Sequence, residues 1–337
     1  MSETVTLAHV ARAAGVSPST VSRILNGTAN VAPEKRARVE AAIERLEFRP
    51  NVQAQALANG RSFSVGVLTQ NISSPFFGEA LAGIERGLDG SPYHPLVVSG
   101  HWHAEQERGA LDLLLRRRVD ALIILSGVLG DEELLAVARR VPMVAVGRDV
   151  RGLGECCLNL DHREGIRRIV AHLVERGHRR IAFVGGTEAQ QDAVERRRSF
   201  HEALAGAGLG VDPALVRIGD YTERSGERAT EALLASGVPF TAICCANDQM
   251  AFGARLALYR RGLRVPEDVS LTGFDDLFSS QFTTPPLTTI RQPISEMGEA
   301  AARAVLRLLT GEAPALPAFE PLLVERESTG PPGTGGP

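Results

Sequence analysis

The chain of 337 residues is 44% hydrophobic and 23% charged, with a formal net charge of −3. This composition is ordinary for a globular protein and argues against a disordered chain. No apolar run approaches the roughly 18 residues of a membrane helix, and the first residues lack the basic and apolar segments of a secretory signal. We therefore expect a cytoplasmic protein without a membrane partner, in two or three domains.

The charge is unevenly distributed along the chain. Residues 1–62 hold eight basic and five acidic side chains, whereas the remainder holds 29 basic and 35 acidic ones. The segment 4–33 contains His9, Arg12 and Arg23 and no carboxylate. A surface that faces nucleic-acid phosphates has to avoid carboxylates, because their repulsion opposes the gain from counterion release. The charge of this segment therefore suits DNA.

The N-terminal residues are dense in helix signals. Thr6 can cap a helix that ends at Gly15, and Ser17 can cap a second helix with Pro18 at its first position. A third helix is predicted over about 33–46 from its apolar stripe. The tight glycine-containing turn between the first two helices is typical of a helix-turn-helix, and a generic helical hairpin is the alternative.

The polar second helix favours DNA binding over a generic hairpin. Hydroxyls and arginine suit contacts to phosphates and base edges, and this segment carries Ser17, Ser19, Thr20, Ser22 and Arg23. Residues 49–62 follow as a predicted linker with a short helix inside it. Leu57 within this linker is either a minor packing contact or a wedge for a DNA base step.

From residue 63 onward, short apolar runs alternate with amphipathic helical stretches. The predicted strands cover 64–69, 95–99, 120–125, 142–146 and 156–160, and then 180–186, 241–248 and 268–276. Such alternation is typical of a parallel sheet covered by helices on both faces. The two sets, divided near Asp161, predict an α/β core of two doubly wound lobes, preceded by the all-α helix-turn-helix segment.

Ligands of doubly wound folds bind beyond the carboxyl ends of the strands. Two polar pairs directly follow apolar strands, Asn247 with Asp248 and Asp275 with Asp276. These side chains either face a ligand or serve ordinary turn chemistry, which Asn and Asp also satisfy. The pattern alone does not choose between the two.

The sequence lacks the motifs of catalytic, cofactor and metal sites. It has no GxGxxG after a strand, no GxxxxGK[ST] and no GxSxG, and His101 and His103 lack further ligands at metal-binding spacing. The four cysteines form two adjacent pairs without CxxC spacing, which is typical of small buried residues. We expect no enzyme activity, no cofactor and no metal. The Pro/Gly-rich segment 328–337 is predicted to be disordered.

These segments together resemble the lactose/galactose repressor (LacI/GalR) family of bacterial transcriptional regulators. The resemblance rests on VTLAHVARAAGVSPSTVSRILNG (5–27), RPNVQAQALANGRS (49–62), SPFFGEALAGIE (74–85), GHRRIAFVGG (177–186), ANDQMAFGA (246–254), DVSLTGFDD (268–276) and PPLTTIRQP (285–293). It is collinear over nearly the whole chain. SPFFGEAL and GHWHAEQER are nearest to the galactose-repressor branch.

The resemblance implies a particular domain organisation. The headpiece covers 1–50, the hinge helix or linker 51–61, and a core similar to type I periplasmic sugar-binding proteins 62–327. Because the chain of such cores crosses between the lobes three times, the first lobe takes about 62–161 plus 291–320 and the second about 162–290 plus 321–327. The family also implies a homodimer, or a tetramer, on a pseudo-palindromic DNA operator. Without a long C-terminal heptad repeat, a dimer is expected.

In the family the second helix lies in the major groove. The resemblance implies base-reading roles for Pro18, Ser19 and Arg23, and a bidentate contact of Arg23 to guanine is worth about 1–3 kcal/mol of discrimination. Pro18 stands where other members have a hydrogen-bonding side chain, which leaves an apolar contact. Leu57 matches the hinge leucine that enters the minor groove, and Gln55 stands where many members have arginine. Phosphate contacts are implied for Thr6, Ser17, Thr20, Ser22, Asn26 and Asn30.

The resemblance also implies an effector site in the cleft. Arg196 matches the family's effector-binding arginine, and Asn247 and Asp275 match polar contacts from two other strand ends. An arginine flanked by carboxylate and amide suits vicinal sugar hydroxyls. Some sugar-responsive members carry aspartate where this chain has Gly147, so no particular sugar is assigned. Aromatic positions beside the ligand are matched by Phe76, Phe77 and Tyr221.

The sequence therefore predicts a cytoplasmic, nucleoid-associated bacterial repressor of sugar-utilisation genes that leaves its operator when a small sugar binds. Within the family, a ligand that acts as co-repressor is the alternative. Outside it, a periplasmic-type solute-binding protein fits the lobes, but the N-terminal segment and the missing signal oppose it. A sugar-processing enzyme is the third alternative, for which the sequence offers no nucleophile, phosphate loop or metal set.

Overall fold

The computed structural model describes residues 5–25, 31–48 and 60–333. The chain divides into two compact units, Met1–Ser62 and Phe63–Pro337. The predicted hinge helix with Leu57 lies outside the described residues, and so do Asn26 and Asn30.

The N-terminal unit contains three short helices around a small apolar core. They are α1 (Leu7–Ala14), α2 (Pro18–Leu25) and α3 (Pro33–Arg45). Gly15 ends α1 in the left-handed conformation, φ +64°, and Ser17 Oγ accepts a hydrogen bond from the Thr20 N–H at 3.2 Å, which caps α2. The core side chains are Val10, Ala11, Ala14, Val21, Ile24, Val39, Ala42 and Phe48. The predicted helix-turn-helix is confirmed.

The first lobe of the second unit contains a five-stranded parallel sheet flanked by helices. Its strands are β1 (Ser64–Thr69), β2 (His94–Ser99), β3 (Ala121–Leu125), β4 (Met143–Val146) and β5 (Cys157–Leu158). Its helices are α4 (Pro75–Leu88), α5 (Ala104–Arg116) and α6 (Asp131–Ala138). The strand order is β2-β1-β3-β4-β5. Every residue of β3 is buried, because helices cover both faces of the sheet.

The second lobe repeats this arrangement around a four-stranded parallel sheet. Its strands are β6 (Ile181–Gly185), β7 (Val216–Ile218), β8 (Ala242–Cys245) and β9 (Ser270–Thr272). Its helices are α7 (His162–Glu175), α8 (Gln191–Gly206), α9 (Glu223–Ala235) and α10 (Asp248–Arg260). The order is β7-β6-β8-β9. The predicted fold class of two doubly wound lobes is confirmed.

The last elements connect the two lobes. They are β10 (Thr289–Arg291), α11 (Ile294–Leu309) and β11 (Leu322–Val324). Helix α11 packs against α4 of the first lobe. Strand β11 then pairs antiparallel with β10, with Arg291 opposite Leu322. Among the described residues, no helix is long and apolar enough to cross a membrane.

The predicted disorder of the segment from residue 328 is wrong for residues 328–333. Ser328 is buried, its Oγ donates to the Leu271 carbonyl at 2.6 Å, and the Leu271 N–H donates to the Ser328 carbonyl at 2.8 Å. The buried ring of His178 lies with Nε2 2.9 Å from the Gly330 carbonyl. Backbone hydrogen bonds beside β9 fix this segment, and a Pro/Gly-rich composition gives no periodic signal of them.

Candidate functional site

The N-terminal unit carries a polar surface on α2. The described residues predicted to contact DNA lie on or next to α1 and α2: exposed Thr6, Ser17, Pro18, Ser19 and Arg23, with half-buried Thr20 and Ser22. The opposite face of α2 buries Val21 and Ile24. No carboxylate occurs in residues 5–25.

The hydroxyl groups at the start of α2 are linked to one another. Ser17 Oγ lies 2.9 Å from Ser19 Oγ and 2.8 Å from Thr20 Oγ1. These hydrogen bonds orient the first turn, where the helix dipole gives a positive end. Thr6 precedes α1, and its N–H donates to His9 Nδ1 at 3.3 Å. The arrangement suits an anionic backbone next to the first turn of α2.

The second unit contains a cavity, partly open to solvent, at the carboxyl ends of both parallel sheets. All six predicted effector-site residues line it: Phe76, Phe77, Arg196, Tyr221, Asn247 and Asp275. The other lining residues are Asn71, Ser74, Trp102, Ser126, Gly147, His162, Asp192, Asp220, Thr222, Gln249 and Gln292.

Arg196 is the buried cation of this cavity, with 3% of the residue exposed. Its Nη1 donates to the Ala246 carbonyl, and its Nε donates to His162 Nδ1 at 3.4 Å. The guanidinium carbon of Arg196 lies over the Phe274 ring, 4.1 Å from the ring centre. Burial, and then the charge of Arg196, hold the pKa of His162 well below its usual value. His162 is therefore neutral, and because Nδ1 accepts, its proton lies on Nε2.

Two acidic residues line the cavity together with the arginine. Asp192 lies one helical turn before it, 3.6 Å from Nη2, and accepts a hydrogen bond from the Tyr221 hydroxyl at 2.9 Å. Asp275 is 6% exposed and accepts from Gln292 Nε2 at 2.6 Å. Burial raises the pKa of Asp275 well above its usual value, although Arg196 opposes the shift.

In each of the two polar pairs that follow a strand, one residue lines the cavity and the other holds neighbouring segments in place. Asn247 lines the cavity, although its Oδ1 also caps α10 by accepting from the Met250 N–H at 2.9 Å. Asp248 instead accepts from three donors: the Leu277 N–H, Ser280 Oγ and Thr289 Oγ1. Asp276 likewise lies outside the cavity lining and forms an ion pair with Arg326.

An aromatic wall closes the first-lobe side. Phe77 lies 6.2 Å from Trp102 between ring centres, and Phe76 lies edge-on to Phe77 at 5.3 Å. Trp102 has a positive φ of 58°, and its backbone N–H donates to Gln70 Oε1 at 2.9 Å.

Gly147 also lines the cavity, in the left-handed conformation, φ +75°. A Cβ there would lie 2.9 Å from Ser126 Oγ. The following Arg148 points away, because its guanidinium donates to the Gly127 carbonyl and to Asp131. Among the described residues, no cluster of His, Cys, Asp and Glu could hold a metal ion.

Sequence reasoning missed Trp102 and Asp192. Trp102 belongs to a turn after β2. Neither hydrophobic periodicity nor a position directly after a strand identifies it as a cavity residue. Asp192 did carry a signal, since a residue four positions before Arg196 lies on the same helix face.

A helix-turn-helix unit joined to a two-lobed α/β core with a small-molecule cavity defines a class of protein, the ligand-responsive DNA-binding regulator. Residues 6–51 match the family description "Bacterial regulatory proteins, lacI family", and residues 170–329 match "Periplasmic binding protein-like domain". The chain belongs to the lacI family of bacterial regulatory proteins and is a DNA-binding transcriptional regulator.

Relatives and solved structures agree over nearly the full length. The chain is 36% identical to the HTH-type transcriptional regulator GalR of Escherichia coli (strain K12), over 97% of this chain and 96% of GalR. It is 33% identical to catabolite control protein A of Priestia megaterium, over 91% and 93%. The lac repressor dimer bound to operator and the anti-inducer ONPF superimposes with a TM-score of 0.87 at 34% identity, over 97% and 100%.

A second solved structure was determined with a sugar. The transcriptional regulator CelR in complex with cellobiose superimposes with a TM-score of 0.71 at 32% identity, covering 96% of this chain and 99% of CelR.

Proposed function

We propose that this protein represses sugar-utilisation genes and leaves its operator when a small sugar binds in the cavity. The observation that carries the proposal is the buried Arg196, paired with Asp192, in a cavity that Asp275 and several aromatic rings also line. The same chain carries an acid-free helix-turn-helix.

The cavity offers what a sugar requires. A sugar hydroxyl both donates and accepts, so a site needs both kinds of partner. Arg196 and the Nε2–H of His162 donate, the Asp192 and Asp275 carboxylates accept, and the Asn247 amide does both. Phe76, Phe77, Trp102 and Tyr221 offer apolar ring faces for the C–H face of a sugar.

Operator release requires that the sugar distinguish two arrangements of the lobes. A ligand shifts an equilibrium only by its differential affinity for the two states, and coupling of about 1–3 kcal/mol is usual. The structure of the lac repressor, described as a dimer bound to operator, supports a homodimer on a two-fold symmetric operator here. The N-terminal unit then contacts DNA through Thr6, Ser17, Pro18, Ser19, Thr20, Ser22 and Arg23, and Asn26, Asn30 and Leu57 add contacts.

The DNA-reading part of the proposal is tested with full-length protein. Selection from random DNA at a stated salt concentration should recover a roughly two-fold symmetric site. Arg23→Ala should lower affinity for that site by at least about fivefold and relax discrimination at one base position, because a bidentate guanine contact is worth about 1–3 kcal/mol. Binding to unrelated DNA should change much less.

Arg36→Ala is the matched control, since it removes the same charge from an exposed position of α3. It should weaken binding to all sequences about equally, through phosphate attraction alone. Equal losses of discrimination in both variants would contradict the base-reading role of Arg23. Sequence-independent binding by the wild type, with and without sugars, would contradict the operator-binding function itself.

The sign of the ligand effect is tested on the selected site. Release by a bound sugar supports induction. Stronger DNA binding in the presence of the sugar identifies the co-repressor alternative.

A further inference from the structure

The cavity carries more negative than positive charge. Its described lining contains one guanidinium, Arg196, and three carboxylates, Asp192, Asp220 and Asp275. His162 adds no charge, because burial and Arg196 hold its pKa well below the usual value. The lining therefore has a net charge of −2 with Asp275 ionised and −1 with Asp275 protonated.

The helix ends of the second lobe add little positive potential to this edge. Each of its four long helices has a carboxylate in its first turn, which offsets the positive end of the helix dipole. These residues are Glu164, Asp192, Glu223 and Asp248. Helix α4 of the first lobe has no acid in its first turn, and Phe76 and Phe77 of that turn present aromatic rings to the cavity.

Asp192 occupies the side of Arg196 where an anion would otherwise bind. A buried guanidinium pairs readily with phosphate or carboxylate through two parallel N–H donors. Here the Asp192 carboxylate lies 3.6 Å from Nη2 and is oriented by the Tyr221 hydroxyl. Two further donors of the guanidinium are engaged by Ala246 and His162.

We propose that the cavity selects uncharged sugars over anionic ones, and that Asp192 is the residue that sets this preference. The inference rests on the proposed sugar site and adds the charge class of its ligand. Neutral hydroxyls use Asp192 and Asp275 as acceptors, whereas a sugar phosphate or a uronate is repelled by the negative charge of the lining. Asp192 and Asp275 are largely buried, so water screens their charge less than it would at the protein surface.

The test compares matched sugars at fixed ionic strength. The probes are glucose, galactose, cellobiose, glucose 6-phosphate, galactose 6-phosphate, glucuronate and galacturonate, titrated into full-length protein by calorimetry and by the emission of Trp102, the single tryptophan. A neutral sugar should bind at least about tenfold more tightly than any anionic one, which corresponds to about 1.4 kcal/mol.

Asp192→Asn should reduce the neutral-to-anionic affinity ratio by about tenfold or more, because it removes the negative charge that competes with an anion for the guanidinium. The ratio is the readout, since a general loss of structure weakens both ligands together. Asp192→Ser, which keeps a small polar partner for Tyr221, should act in the same direction. Glu202→Gln is the control: it removes the same charge from the exposed face of α8, where Glu202 pairs with Arg198, and should leave the ratio unchanged.

The outcomes separate this inference from the function on which it rests. Tighter binding of a sugar phosphate or a uronate overturns the charge preference and leaves a sugar-responsive regulator in place. Equal ratios in Asp192→Asn and Glu202→Gln overturn the role of Asp192. Failure of every sugar, neutral or anionic, to bind or to change operator affinity overturns the proposed sugar response, and the inference falls with it.

Discussion

Arg196 is the residue through which ligand binding can be separated from DNA binding. Its contacts with His162, Ala246 and Asp192 lie within the second unit. We therefore expect Arg196→Ala to bind operator with unchanged affinity and to show no release by the effector. Removing one partner of a buried charge pair costs about 3–5 kcal/mol, so the variant should also unfold at lower urea.

The control for this prediction is the next residue. Arg197→Ala removes an arginine that pairs with exposed Glu188 and does not line the cavity. It should keep both operator binding and release in an operator-binding assay with increasing effector. Normal release in Arg196→Ala would show that the cavity is not the effector site.

At the same scale, the sequence predicts some cavity residues and misses others for a physical reason. Asn247 and Asp275 follow apolar strands directly, so the parallel-sheet rule brings them to one edge. That rule is equally true of Asp248 and Asp276, which the structure uses for hydrogen bonds and an ion pair. Which neighbour faces the ligand depends on backbone direction after the strand. Asp275 has φ +137°, and nothing in the sequence predicts this conformation.

Helix packing between α4 and α11 depends on glycine at particular positions. A Cβ on Gly83 would lie 1.9 Å from the Ser295 carbonyl oxygen, whereas a Cβ on Gly78 of the same helix meets nothing within 4 Å. We expect Gly83→Ala to lower the free energy of unfolding by about 1–3 kcal/mol, because the helices must move apart.

Gly78→Ala is the matched control, because Gly78 lies at an exposed position of the same helix. It should be neutral or raise the free energy of unfolding by up to about 1 kcal/mol, because alanine favours the helix. Urea denaturation followed by circular dichroism measures both variants. A Gly83→Ala protein as stable as Gly78→Ala would mean that the two helices pack less closely than described.

Strands that are buried on both faces could be predicted, because they appear in the sequence as continuous apolar runs. β3 and β8 are buried throughout and stand out in the sequence. β7, with residues only half-buried or exposed at the sheet edge, has no such run and was not predicted. The segment 328–333 was missed because hydrogen bonds to the β9 region, rather than apolar periodicity, order it.

At the scale of the whole core, a hydrogen bond joins the two lobes across the cavity. Ser74 Oγ, at the start of α4, donates to Gln249 Oε1 of α10 at 2.8 Å, and Gln249 Nε2 donates to Glu223 at 2.9 Å. The bond contributes only while the lobes are close together, so it favours the closed arrangement before any ligand arrives. The free-energy cost of closing the lobes is therefore smaller for a ligand that binds the closed arrangement, and its apparent affinity is higher.

We expect Ser74→Ala to weaken effector binding by about two- to twelvefold, since one hydrogen bond contributes about 0.5–1.5 kcal/mol. Ser73→Ala is the control, because the Ser73 hydroxyl bonds to Asn71 within its own loop. Titration of Trp102 emission measures both variants. Tighter binding by Ser74→Ala would reverse the argument: the bond would then hold the cavity shut against entry, and opening rather than closure would limit binding.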